Sequence, residues 1–252
     1  MSSALPYKEF YYPLNVFMHI LTHEEGAVTY LHYGLFEEPD EPLLRAQERS
    51  TELLLSRLPP PPASILEVGI GLATTLHRLT ALGYDIEGMT PDDKQIAMIR
   101  ARYGDAVRAH CAAFETFAAT RRYDLLLFQE SSQYIDAEAL FSKAKTLSDS
   151  IVVLDEFALQ PLDAPGLHAL DGFLAAAARH GYAVVERIDL SKKAAPTMEY
   201  FATRIPAYRE RLLAELELTN AQVDELIASG TRYRELYRDG VYGYCLLRLA
   251  RR

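Results

Sequence analysis

Along the chain, short apolar runs alternate with stretches of helical spacing. Runs bounded by glycine, proline or polar residues fall at 64–69, Tyr84–Met89, Ala106–Cys111, Tyr123–Gln129, Ser150–Phe157, Tyr182–Asp189 and Tyr242–Leu249, and read as strands. Helical patterns fill the gaps at 73–82, Pro91–Tyr103, Glu115–Thr120, Ala137–Leu147 and Gly166–His180. Leu125 to Phe128 is apolar throughout, as a central strand requires, and Gly83, Gly104 and Gly181 stand just past helix ends. Such alternation predicts an α/β fold with a doubly wound, mostly parallel sheet covered by helices on both faces.

The two ends depart from this rhythm. Before the first strand, apolar positions at helical spacing predict a helix over Leu43–Leu58, closed by Pro59 to Pro62 as a stiff connector. Between the sixth and seventh strands lie some fifty residues of helical pattern: Thr197–Leu216, a helix starting at Thr219-Asn220 and running to Ser229, then Thr231–Arg238. Two readings fit this insertion, a cap over a hydrophobic substrate or a homodimer interface. Met198, Tyr200, Phe201, Tyr208, Tyr233 and Tyr237 would line either. The chain divides into an N-terminal helical lid segment, 1–60, and one domain, 61–252, with its helical insertion at about 191–240.

Composition narrows the partners. Net charge is −9 and no basic cluster exceeds short pairs such as Lys192-Lys193, which argues against nucleic acid or an anionic membrane as the main partner. No apolar run approaches the ~18 residues of a membrane span, and no signal segment opens the chain, so a cytoplasmic location is expected. Cys111 and Cys245 lie in strand-like runs and read as buried, reduced thiols. No His/Asp/Glu grouping shows metal-ligand spacing. His19, His23, His77, His110, His168 and His180 read as helix or surface positions.

The richest chemistry sits at Ser64 to Ala73, where a buried strand turns sharply into a helix with bare backbone at Gly69 and Gly71. Such a turn lets a nucleoside-bearing ligand approach the main chain beside a helix N-terminus. The pattern Glu67-x-Gly69-x-Gly71-x-Ala73 resembles the first motif of class I S-adenosylmethionine-dependent methyltransferases. It differs from the dinucleotide fingerprint, whose last glycine follows the second by three residues. The resemblance implies S-adenosyl-L-methionine as cofactor. It also implies a Rossmann-like, seven-stranded sheet whose last strand enters antiparallel beside the sixth.

The same resemblance assigns cofactor contacts to Glu67, Gly69, Gly71, Ala73 and Thr74, and to Gln129 at the fourth strand's end. After the second strand, Gly88-x-Thr90-Pro91-x-x-x-Gln95 looks like the corresponding stretch of cyclopropane fatty acid synthases, where Thr and Gln hold the ribose in place of an acid. A hydroxyl and an amide bond a diol more weakly than a carboxylate does. Pro91-Asp92-Asp93 equally forms an ordinary helix N-terminus. The family's acid near the adenine is replaced by Ala112 or Ala113, leaving backbone groups and Phe114 for that task.

Gln129 to Asp136 resembles the Glu-Ser-x-x-Tyr-Val-Asp stretch of geranyl diphosphate C-methyltransferases and, more loosely, the matching motif of sterol, tocopherol and cyclopropane enzymes. There the carboxylate lies beside the transferred methyl. Glu130 is therefore expected as general base or cation stabiliser, or else as a structural carboxylate capping the next helix. Tyr134 is a further catalytic candidate. Leu31-His32-Tyr33-Gly34 is similar to the lid segment of the tocopherol and sterol group. It offers His32 as a proton acceptor and Tyr30 and Tyr33 as ring faces over a cation, or simply aromatic packing on the sheet edge. Ser131, Gln133, Glu156 and Tyr200 complete the expected substrate contacts.

The expected activity is methyl transfer to carbon or nitrogen of a small molecule. A magnesium ion would accompany a diphosphate substrate. Two alternatives stand: cyclopropane-synthase-like methylene transfer, and a non-catalytic, cofactor-binding partner subunit. Against the first, Ser131-Ser132 stands where those enzymes have His and Val, and the basic surface that phospholipids require is missing.

Overall fold

Each of the seven apolar runs forms a strand, and all seven join one sheet in the computed structural model, which describes residues 7–38, 40–161 and 166–251. The strands are β1 (Ser64–Val68), β2 (Asp85–Thr90), β3 (Ala109–Cys111), β4 (Leu125–Gln129), β5 (Ser150–Ala158), β6 (Tyr182–Asp189) and β7 (Tyr242–Arg251). Their order is β3-β2-β1-β4-β5-β7-β6. Neighbours from β3 to β5 pair in parallel, while β7 lies antiparallel between β5 and β6. The order reverses between β1 and β4. In an open α/β sheet the crevice outside the carboxyl ends at that reversal is where ligands bind.

The central strands are apolar on both faces because both faces are covered. All five residues of β4 are buried. Leu126 and Phe128 pack with Phe141 and Phe173 on one side, and Leu125 and Leu127 with Leu76 and Ile96 on the other. β3 is a short edge strand, and this exposes Cys111, correcting the expectation of a buried thiol; Cys245, in β7, is buried.

The helices are α1 (Leu14–Glu25), α2 (Leu43–Leu55), α3 (Thr74–Ala81), α4 (Asp93–Tyr103), α5 (Ala137–Leu147), α6 (Leu170–Arg179), α7 (Ser191–Ala194), α8 (Pro196–Ala207), α9 (Arg209–Glu215) and α10 (Asn220–Arg238). Caps fix several starts. Asp92 accepts from the Lys94 and Gln95 amides, Asp136 from the Ala139 amide, and Thr219 forms a capping box with Gln222.

Four elements differ from the sequence reading. α1 was not foreseen. Glu115–Thr120 holds only a single tight turn, Phe114–Thr116. Thr197–Leu216 is two helices, α8 and α9, meeting at Tyr208 after Pro206. The two helices expected around Ser229 and Thr231 are one continuous α10, which runs through Gly230 beside Ala202 of α8. No helix among the described residues is long and apolar enough to cross a membrane.

Candidate active site

A cavity of about 830 Å³ opens beyond the carboxyl ends of β1, β2, β4 and β5. Its floor is the glycine turn. The Gly69 and Ile70 amides both donate to the Met89 carbonyl, at 2.8 and 3.1 Å, which ties the turn to the end of β2. Gly69 has φ +76°, and a Cβ there would stand 2.3 Å from the Ser131 Cβ, so the position admits only glycine. Gly71 also lies in the left-handed region, at φ +51°, and borders the cavity. Ala73, expected as a cofactor contact, is instead fully buried at the start of α3 and does not reach the cavity wall. Thr74 does reach it, with its hydroxyl donating to the Thr29 carbonyl at 2.5 Å.

Two polar atoms at this end lack partners. Glu67 Oε2 and Gln129 Nε2 are buried and unbonded, although Gln129 Oε1 accepts from the Thr75 hydroxyl at 3.0 Å. Leaving such groups unpaired costs about 1–3 kcal/mol each. With no nearby cation, burial pushes the Glu67 carboxyl up to about 8. Thr90 donates to Gln95 Oε1 at 2.7 Å and accepts from the Asp92 amide at 3.3 Å. Both side chains border the cavity, as do Pro91, Ala112 and Ala113. Phe114 contributes a wall but is mainly core, edge-on to Phe128.

The opposite end is acidic and aromatic. Glu130 follows β4 with φ +53°, a conformation that costs a non-glycine residue of order 1–3 kcal/mol and points to function. Its Oε1 accepts from the Tyr33 amide and the Tyr244 hydroxyl, both at 2.6 Å. Glu156 Oε1 accepts from the Tyr237 hydroxyl at 2.7 Å. Desolvation and the proximity of Glu156 hold the Glu130 carboxyl well above its usual range, and desolvation lifts Glu156 to about 7. Glu130 does not cap a helix. Asp155 Oδ2 takes the Ser132 amide and hydroxyl at 2.8 and 2.6 Å, and Asp136 caps α5. Glu130 is thereby left to the cavity.

The remaining expectations resolve individually. His32 is no free proton acceptor: its Nδ1 bonds the Tyr33 carbonyl at 2.9 Å and its Nε2 the Thr51 hydroxyl at 3.0 Å. Burial lowers its pKa to about 4, so the ring is neutral and serves to fix the segment carrying Tyr33. Tyr134 is 76% exposed, at the cavity mouth, away from Glu130's hydrogen bonds. Tyr200 is buried against α1, its hydroxyl 3.4 Å from Glu25, and is no cavity residue. Tyr30, Tyr33, Ser131, Gln133 and Glu156 all border the cavity. The Tyr33 ring stacks on Tyr244, with centroids 5.6 Å apart and planes within 9°.

Residues 30–33 line the cavity as a strap, which continues to Phe36 over the body of the domain. Gln47 bonds the His32 carbonyl at 2.6 Å, Thr197 accepts the Gly34 amide at 3.1 Å, and the Leu35 amide reaches the Ala46 carbonyl at 2.9 Å. Phe17 and Leu21 of α1, Phe201 and Ile205 of α8, and Leu226 and Tyr233 of α10 form an apolar roof. Among the described lining residues there is no lysine or arginine, whereas Glu67, Asp92, Glu115, Glu130 and Glu156 are present. The Tyr244 hydroxyl, the roof from α1 and the partner Thr75 escaped sequence reading, and Tyr237, expected only as a lining residue of the helical insertion, bonds Glu156. Only Thr75 carried a signal, adjacent to the glycine turn.

No family model matches the chain, and no curated protein matches it. Solved structures do. A [4+2]-cyclase shares the fold at a TM-score of 0.78 and 17% identity, over 92% of both chains. A cyclopropane synthase from Mycobacterium tuberculosis aligns at 0.77 and 18%, over 88% of this chain and 90% of its own. A geranyl diphosphate C-methyltransferase from Streptomyces coelicolor, solved with Mg²⁺, geranyl diphosphate and S-adenosyl-L-homocysteine, aligns at 0.67 and 18%, over 99% of each. These likenesses establish the Rossmann-like methyltransferase fold.

Proposed function

We propose that this protein is a S-adenosylmethionine-dependent methyltransferase acting on carbon or nitrogen of a small, largely apolar molecule. One observation carries the reading. The buried, unpartnered Glu67 Oε2 and Gln129 Nε2 sit beside the glycine turn in the same cavity as the tyrosine-bonded Glu130.

The cofactor fits the residues present. An ammonium group satisfies Glu67 and a carboxylate or hydroxyl satisfies Gln129, so a zwitterionic amino-acid moiety answers both orphans. Gln95 has its NH₂ available and Thr90 its oxygen for a ribose diol, while the Gly69–Gly71 backbone presents no side chain to obstruct approach. When bound, the cofactor supplies an activated methyl on a sulfonium. The cavity volume lies near the upper end of the about 300–1,000 Å³ of small-molecule sites, as a pocket for two ligands requires.

The chain's own contribution is positioning, water exclusion and proton handling. The apolar roof and the strap orient the acceptor and keep water out. Glu130 takes a proton from the substrate, or offsets positive charge developing on it, while Tyr33 N–H and Tyr244 O–H hold Oε1 in place. The acidic lining without a basic side chain favours an uncharged or cationic acceptor over a diphosphate. Position also favours the cap role for the 197–238 helices, since Met198, Phe201 and Tyr233 face the cavity.

Calorimetric titration with S-adenosylmethionine and S-adenosylhomocysteine tests the reading, with Gly71→Val as control. Saturable micromolar binding that the control loses supports it. Absence of binding to either ligand overturns it.

A further inference from the structure

α1 carries a second cluster on the side away from the cavity. Phe17 and Leu21 face the roof, while His19 and His23, one helical turn apart, point toward α9. Both imidazoles meet one atom there: His19 Nε2 lies 2.8 Å and His23 Nε2 3.4 Å from Glu215 Oε2. All three donor atoms fall within 4.8 Å of one another. The other carboxylate oxygen, Oε1, is taken by Arg211 Nε at 3.1 Å, which leaves Oε2 to the histidines.

We propose that His19, His23 and Glu215 bind one divalent transition ion of the zinc type, which ties α1 to α9. Two imidazoles and one carboxylate are a recurrent zinc set, with the fourth position open to water. Zinc–ligand bonds of about 2.0–2.2 Å at tetrahedral angles place donor atoms roughly 3.3 Å apart, so the His23–Glu215 spacing already suits an ion and the His19 contact has only to open slightly. Imidazole nitrogens disfavour magnesium or calcium, which take oxygen ligands.

The surroundings agree with this. His19 is fully buried with its Nε2 on Glu215 Oε2, while Arg211 holds the other carboxylate oxygen. Tyr7 and Tyr208 meet the His19 ring edge-on, at 5.9 and 6.0 Å between centroids, and shield the site. His23, with a side chain 24% exposed, leaves one side open for entry. The ion would join residues 196 apart in sequence and brace the helix whose opposite face roofs the cavity.

The test uses the full chain without an affinity tag, stripped with chelator and titrated with Zn²⁺, Co²⁺ and Mg²⁺. Zn²⁺ at a hundredfold excess over Kd should raise the melting temperature by about 5–10 °C. Co²⁺ should give tetrahedral visible absorption bands at one ion per chain, and Mg²⁺ no shift. His23→Ala, a change at a partly exposed side chain, should weaken Zn²⁺ binding by more than about tenfold. No binding in the wild type overturns the proposal. So does a Zn²⁺ shift that His23→Ala and Glu215→Gln both retain, which would place the ion elsewhere, for instance at exposed Cys111.

Discussion

The Tyr244 hydroxyl donates to Glu130 Oε1 at 2.6 Å across 114 residues of sequence. Sheet register makes the contact. Tyr244 pairs with Glu156 across the β5–β7 ladder, and the Glu130 amide donates to Leu154 of β5, so three neighbouring strand positions converge. The bond favours the charged form of Glu130 and opposes the burial that raises its pKa. Tyr244→Phe should therefore raise that pKa further. A hydrogen bond to a carboxylate is worth about 1.5–3 kcal/mol, or roughly one to two pH units. The rising limb of the pH–rate profile should move alkaline by that amount, and an unshifted limb would remove Glu130 from the proton path.

Glu130→Gln separates chemistry from binding. The amide oxygen still accepts from Tyr33 and Tyr244, so the strap should stay closed and cofactor affinity should change by less than about threefold. Loss of a general base costs about 10²–10⁴ in turnover. Retained turnover, measured by S-adenosylhomocysteine formation once an acceptor is found, would show that Glu130 only shapes the pocket.

On the proposed reading, in which Glu67 takes the cofactor's ammonium, binding is proton-linked. With a pKa of about 8 the carboxyl is mostly protonated at pH 7, and an incoming ammonium selects the ionised form. Calorimetry at pH 7 in buffers of different ionisation enthalpy should report net proton release on binding. Glu67→Gln should abolish that release and weaken binding. Unchanged proton release in the variant would assign the orphaned carboxyl no role in the site.

The sheet was legible because its strands are continuous apolar runs punctuated by glycine and proline. The residues expected at the cofactor end all border the cavity, and their placement followed from the strand pattern: Glu67, Gly69, Gly71, Thr90 and Gln129 lie at or just past strand ends, and Gln95 in the first turn of α4. The rest of the site was not legible in this way. α1 begins after Tyr12-Pro13 with no side-chain N-cap, so nothing local marked it, and His19 and His23 read only as helix or surface positions. Glu215 sits 196 residues from His19, a juxtaposition only packing creates. The same holds for Tyr244 and for the Tyr237–Glu156 bond. The two partners of His32, the Tyr33 carbonyl and the Thr51 hydroxyl, could not be read from its residue type.

Ligand-free stability should peak near pH 5. Glu67, Asp155 and Glu156 have folded pKa values raised to about 8, 6 and 7, above their unfolded values. A raised carboxyl contributes stability in full below its unfolded pKa and loses it as pH rises through the folded one, so the alkaline limb falls between about pH 4.5 and 8. Asp85, Glu41 and Glu215 act oppositely. Arg121, Arg49 and His19 respectively hold each at about 2, so their contribution is present above about pH 4.5 and disappears toward pH 2. Melting curves from pH 3 to 9 should show this dome. Glu67→Gln, which is uncharged throughout, should flatten the alkaline limb while leaving the acid limb in place. Melting temperatures that keep rising from pH 5 to 8 in the wild type would contradict the burial of these carboxyls.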